Sequence, residues 1–352
     1  MKRRAFLATG LATGLALAPP AAHAQGASAQ GASAQGASAQ GAPGQGALLQ
    51  GGAPAWPERA VTILEGYPPG GVTDLASRAV AERMTRELGV PVVVENRPGG
   101  ATSVAATAAA RARPDGYTLV MGTTTLAINQ TLQPGLTPRD PARELDPIGM
   151  VFRTPFILHV HPSIPARDVA ELIAYAKANP GRLLFASPGT GAVSHLCLEL
   201  FKARTGIDVV HVPYRGGAPA ALDLRQGRVH AMFQVPQEAG ATLRDGATRG
   251  LAVTAAAPLP DHPGLPPIGR TLPGFEVFFW QGLFGPAGLP GAVVERAAAA
   301  LGAATRDPDI RARLAEQGVE LVHGDAAMLR QALAADTERW GGLIREANIR
   351  LE

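Results

Sequence analysis

From Trp56 onward, short runs of apolar and β-branched residues alternate with longer segments in which apolar positions recur at helical spacing. Val61-Thr62-Ile63-Leu64 reads as a strand. Tyr67-Pro68-Pro69-Gly70-Gly71 follows as a turn, since its prolines and glycines suit neither a helix interior nor a central strand. The spacing of Leu75, Ala79 and Met84 predicts a helix over 74–88, stopped by Gly89. Val92-Val93-Val94 is the next strand and Asn96-Arg97-Pro98-Gly99-Gly100 the next turn. A helix of small residues follows over 102–111, then the turn Asp115-Gly116 and a third strand over 117–121. This βαβαβ order predicts a mostly parallel sheet with helices on both faces.

The alternation resumes after Phe152. Strands are expected over 157–160, 183–186, 209–212, 229–233 and 251–254, and helices over 169–178, 194–204 and 218–226. Two closing helices are expected over 293–313 and 326–347. The fold class is therefore α/β, with two lobes that each hold a mostly parallel sheet. The chain crosses between them at least twice, so segments 150–160 and 275–284 are candidate hinges. The expected division is residues 56–155 for the first part of lobe 1, 156–278 for lobe 2, and 279–352 for the return to lobe 1.

The first 55 residues read differently. Lys2-Arg3-Arg4, an apolar stretch over 5–17 and Ala22-His23-Ala24 have the order of a cleaved export signal over 1–24, too short in its apolar part to span a bilayer. Arg3-Arg4-Ala5-Phe6-Leu7 has a twin-arginine form. Gln-Gly-Ala-Ser-Ala then repeats from Gln25, Gln30 and Gln35 and decays. Without charge or bulk it cannot offset its ordering entropy, so residues 25–55 are expected to be a low-complexity flexible tether. The protein is expected in the periplasm.

Composition narrows the function. Of 352 residues, 46% are hydrophobic, enough for a large core. Three of the 32 Lys and Arg lie in the leader, which has no acid, so the remainder balances the 29 Asp and Glu. A neutral chain lacks the basic face that nucleic-acid binding needs. A single cysteine, Cys197, excludes an intrachain disulfide and a cysteine zinc cage.

Candidate chemistry gathers in two strand-to-helix turns. One runs through Tyr67, Gly70, Gly71, Val72, Thr73 and Asp74. The other runs through Ser187, Gly189, Thr190, Gly191 and Ser194. Such turns leave the first helical N–H groups unpaired, glycine permits close approach, and the helix dipole favours negative charge. A carboxylate or phosphate fits there without Lys or Arg, though each turn is equally a plain capped turn when taken alone. Thr123 and Thr124, with Thr125, place hydroxyls at a third strand end.

Enzyme signatures are poor. Ser194 and His195 are neighbours on a helix, so their side chains diverge, and no Gly-x-Ser-x-Gly elbow is present. The stretch from Gly189 to Ser194 lacks the third glycine of a dinucleotide fingerprint. His159 and His161 have no acid nearby to complete a metal site. No cofactor or metal is expected.

The motifs then converge. Pro68-Pro69-Gly70-Gly71 with Asp74, Val93-Val94-Glu95-Asn96-Arg97-Pro98-Gly99, and Pro114-Asp115-Gly116-Tyr117-Thr118-Leu119 come first. Phe185-Ala186-Ser187 with Gly189, Gly191 and His195, His211-Val212-Pro213-Tyr214-Arg215-Gly216, and Trp280-Gln281-Gly282 follow in order. From Trp56 to about Asn348 the chain strongly resembles the Bug family of extracytoplasmic solute receptors of tripartite tricarboxylate transporters. The resemblance implies a hinged periplasmic-binding-protein fold that closes on one small carboxylate. It implies that the loops over 67–74 and 187–195 hold that carboxylate through backbone N–H groups, hydroxyls and waters, and that Asp223 lies where a ligand amine or hydroxyl would sit. Ala192, Thr102 and Gln234 depart from the common pattern, where a hydroxyl, a glycine and an acid are usual.

The expected function is therefore a periplasmic receptor, itself a monomer, with the membrane subunits of such a transporter as partners. Its ligand is expected to be a di- or tricarboxylate, an aromatic acid or an acidic amino acid. The alternatives are a receptor coupled to signalling and, further off, an α/β hydrolase.

Overall fold

Eleven strands form two sheets in a computed structural model that describes residues 56–316 and 319–351. In chain order they are β1 (Val61–Glu65), β2 (Val92–Asn96), β3 (Thr118–Thr123), β4 (Leu145–Pro155), β5 (Ile157–Val160), β6 (Leu184–Ser187), β7 (Val210–Pro213), β8 (Ala231–Gln234), β9 (Arg249–Val253), β10 (Phe278–Pro286) and β11 (Leu321–Gly324). The first four and the last two make one sheet, in the order β11-β4-β10-β3-β1-β2. The middle five make the other, in the order β7-β6-β8-β5-β9. The signal and tether expected over 1–55 lie outside the described residues.

Both sheets are mixed, which corrects the mostly parallel expectation. β1 pairs in parallel with β2 and β3, and β6 with β7 and β8. The strands that carry the chain between sheets run the other way: β10 is antiparallel to β3 and β4, and β5 to β8 and β9. The cause is topological. A helix crossover returns the chain parallel, whereas a strand arriving from the other lobe enters from the opposite end.

Only Phe156 separates β4 from β5, so one extended segment leaves the first sheet and enters the second. The return runs from β9 to β10. Thr254 staples the two crossings: its hydroxyl accepts from the Phe156 N–H at 2.8 Å and donates to the Val277 carbonyl at 2.6 Å. The first crossing falls within the segment 150–160, whereas the return, over residues 254–277, reaches the segment 275–284 only at its end.

Helices cover both faces of the first sheet. Val80 and Met84 of the helix Val72–Leu88 pack with Ala297 and Leu301 of the helix Gly291–Arg306 on one side. Ala105 and Ala109 share the other core with Leu329 and Trp340 of the helix Ala326–Glu346. That second core continues through Phe156 and Trp280 to Leu158, Phe185, Phe201 and Phe233 of the second sheet. The segment expected as one helix over 293–313 breaks at Asp307. Pro308 takes the first position of a new helix, and the Asp307 carboxylate accepts from the Asp309 and Ile310 N–H groups.

Candidate ligand-binding site

β1 and β6 are each flanked by the strands that follow them in sequence, so the turns after them lie where helices depart to either face. The turn after β1 opens the 17-residue helix Val72–Leu88, and the turn after β6 opens the 13-residue helix Val193–Thr205. Neither helix has a side-chain cap at its N-terminus. The first bonds of the two helices run from Leu75 to Gly71 and from Leu196 to Ala192. The N–H groups of residues 72–74 and 193–195 therefore have no partner within their helices.

Both turns line one cavity of about 430 Å³. Gly71, Val72 and Thr73 enter it from one side, and Ala192, Val193 and Ser194 from the other. Tyr67, Phe156, Phe233 and Phe279 supply aromatic walls, and Glu238 is the one charged side chain of the lining. The Ser194 hydroxyl is buried without a hydrogen-bond partner. Two sets of unpaired donors from different sheets thus converge on a largely apolar space, where a dipole acts more strongly than in water.

The remaining residues of the first loop hold it in shape. Asp74 is buried, and its carboxylate accepts from the Gly70 N–H at 2.9 Å, from Arg78 at 2.9 Å and from the Asn96 amide at 2.8 Å. Burial pushes the Asp74 carboxyl up, but Arg78, the Gly70 N–H and Asn96 outweigh it and hold the group below its ordinary value. The Gly70 N–H is therefore spent on Asp74. Burial raises the Tyr67 phenol, which lies beside Thr123 and Thr125. Thr125 bonds both Thr123 and Thr102 at 2.8 Å. Thr102 has φ 71°, a left-handed conformation that explains why glycine would serve there. Thr124 lies apart: its buried hydroxyl accepts from the Trp280 N–H at 3.0 Å and ties that segment to β10.

The second loop rests on a histidine pair. The His195 and His211 rings stack at 3.8 Å between centroids. His195 Nδ1 accepts from the Gly191 N–H at 3.1 Å, and His211 Nε2 bonds the Ser187 hydroxyl at 2.6 Å. Burial lowers both imidazoles to about 4; the Lys202 charge adds to the effect at His195, and His195 adds to it at His211. The Gly189 N–H donates to the Ser187 hydroxyl, so Ser187, Gly189, Gly191 and His195 form the scaffold under the loop. Thr190 sits half-buried at its tip. Asp223 is outside the cavity lining; it accepts from the Tyr214 hydroxyl and from Arg228, both at 2.8 Å.

A profile of the family described as "Tripartite tricarboxylate transporter family receptor" (TctC) matches residues 76–349. The chain belongs to this family. Among its relatives, the protein BugT of Bordetella pertussis is 30% identical, over 85% of this chain and 93% of that one. MatC from Rhodopseudomonas palustris, solved with bound malate, has a TM-score of 0.69 at 31% identity, covering 82% of this chain and 100% of its own. A second R. palustris protein, solved with adipate, has a TM-score of 0.72 at 33% identity, covering 84% and 99%.

In this TctC-family receptor, sequence reasoning passed over several residues of the cleft. Met232 and Phe279 reach the cavity from strands, Glu238 from a helix, and Phe156 from the crossing between β4 and β5. Glu65 and Gln281 lie beneath the first loop. Only Trp280-Gln281-Gly282, standing as a motif in the returning segment, signalled the second of these. No group of three or more His, Cys, Asp or Glu among the described residues is placed to hold a metal ion.

Proposed function

We propose that this protein is a periplasmic receptor that captures a small carboxylate in the cleft between its lobes and delivers it to the membrane subunits of a tripartite tricarboxylate-type transporter. The observation that carries this reading is the meeting of two uncapped helix N-termini, with the unpartnered Ser194 hydroxyl, in one apolar cavity. Charge-assisted N–H bonds to a carboxylate satisfy donors that have no other partner among the described residues. The bound malate and adipate of the two relatives are of the same chemical class.

The cleft binds without reaction. The imidazole beside Ser194 is committed elsewhere, since His195 accepts from Gly191 and stacks on His211. Residues 56–155 and 279–352 form one lobe and 156–278 the other, with the Thr254 staple at the hinge. Ligand contacts to both lobes favour the closed arrangement, whose surface the transporter reads. The leader over 1–24 exports the chain, and residues 25–55 act as a tether. Among the described residues, no helix is long and apolar enough to cross a membrane.

A thermal-shift screen of mono-, di- and tricarboxylates, aromatic acids and amino acids tests the reading. At least one carboxylate should raise the melting temperature in a concentration-dependent way. A flat response across the panel, with the protein folded, would overturn it.

A further inference from the structure

The cleft has one charged side chain, and it is an acid. Glu238 lies on the first turn of the helix Pro236–Arg244 and faces the cavity. Its carboxylate packs on Gly217, so closely that a Cβ there would overlap it. Gly217 is the first residue of the nine-residue helix Gly217–Arg225, which has no side-chain cap of its own. The protein's own carboxylate thus lies against the start of that helix. Gln234 fixes this arrangement: it is 2% exposed, and its amide nitrogen donates to Glu238 Oε2 at 3.0 Å. Its Oε1 is buried without a hydrogen-bond partner, and it too lines the cavity. No Lys or Arg lines the cavity to neutralise Glu238.

We propose that Glu238 makes this receptor selective for a monocarboxylate that carries a protonated amine at its far end, in preference to the matching dicarboxylate. The ligand's carboxylate sits at the two uncapped helix N-termini, and its ammonium meets Glu238. The methylenes between them lie against Phe156, Phe233 and Phe279. Glu238 is exposed to solvent at the edge of the cleft, and a dicarboxylate of equal length would press a second negative charge on it with no Lys or Arg of the lining to offset the repulsion. The inference rests on the carboxylate-receptor reading above and adds the chemistry of the ligand's other end.

Calorimetry on the purified protein with pairs matched in methylene count tests it: γ-aminobutyrate with glutarate, δ-aminovalerate with adipate, and ε-aminocaproate with pimelate. In at least one pair the amino acid should bind about tenfold or more tightly than the diacid, a difference that one resolved charge contact supplies. Glu238→Gln, which keeps an acceptor for the buried Gln234 amide, should shrink that ratio several-fold while leaving the melting temperature of the free protein close to wild type, and Glu238→Ser should shrink it likewise. Diacids binding as tightly as, or more tightly than, their partners in every pair would overturn the inference. So would a ratio unmoved by both substitutions, or no binding of any amino acid in the set. If other carboxylates still bind, and Gly71→Val removes that binding, the receptor reading stands while this inference falls. If no carboxylate binds at all, both fall.

Discussion

The Glu65 carboxylate accepts a 2.9 Å hydrogen bond from the side-chain amide of Gln281, 216 residues away in the chain. Glu65 ends β1, immediately before the first loop, and Gln281 lies on the strand that returns from the other lobe. The same carboxylate accepts from Ser77 at 2.6 Å and from the Tyr67 N–H at 3.2 Å, and Gln281 also donates to the Thr73 carbonyl. Burial pushes the Glu65 carboxyl above its ordinary value, the Ser77 hydroxyl opposing. A buried polar knot therefore fixes the loop that presents the first set of N–H donors.

Gln281→Ala leaves buried acceptors on Glu65 and Thr73 without this donor. The cost is expected at about 1–3 kcal/mol. Urea unfolding measures it, and a change under about 0.5 kcal/mol, the scale of an inert surface site, would contradict the knot's role.

Ser194→Ala separates binding from stability. The hydroxyl has no partner in the free protein, so its removal should leave stability unchanged or slightly raised. Carboxylate affinity should fall about tenfold or more through loss of one charge-assisted bond. Chemical denaturation and calorimetry together check both signs; a stability loss with unchanged affinity would place the hydroxyl outside the site.

Gly71→Val should fold normally. Gly71 has φ −80°, which any residue adopts, and a Cβ there meets nothing within 4 Å. The added side chain instead projects into the cavity beside the free N–H groups. Affinity should drop by more than about tenfold, an ordinary penalty for a misplaced group in a preformed site. Unchanged affinity would remove the first loop from the site.

Acid should weaken the fold through the stacked histidines. In the folded protein His195 and His211 titrate at about 4, whereas unfolding returns them toward 6.5. Between those values the unfolded chain binds protons that the folded chain refuses. The histidine contribution is thus complete above 6.5 and is lost as pH falls toward 4. Glu65 and Asp336, whose carboxyls burial raises, act in the opposite direction. His211→Asn should therefore flatten the decline of melting temperature between pH 6.5 and pH 4 relative to wild type. Identical slopes would contradict the assignment.

Local chemistry made much of this legible in the sequence. Gly89 and Gly206, both left-handed, end helices where glycine predicts an end. The proline and glycine turns after β1 and β6 marked the loops that open the two cleft helices. What escaped depends on contacts distant in sequence. β4 and β10 read as hinge segments, and their antiparallel pairing with each other is visible only once the return crossing brings them together. Glu238 carries no local signal, because a glutamate on the first turn of a helix is ordinary; its meaning comes from Gly217 and the cavity it faces. The same holds for Thr124 and Thr125. Neighbours in a run of three threonines, they part company because the first is buried against Trp280 while the second turns to the cleft.

In the proposed receptor, helix N-termini from opposite lobes grip one carboxylate. A crystal structure of the protein with a carboxylate that stabilises it tests this directly. Carboxylate oxygens should lie within hydrogen-bonding distance of main-chain N–H groups among residues 72–74 and of Ser194 at once. A carboxylate held by surface Arg or Lys, or touching one lobe only, would contradict it.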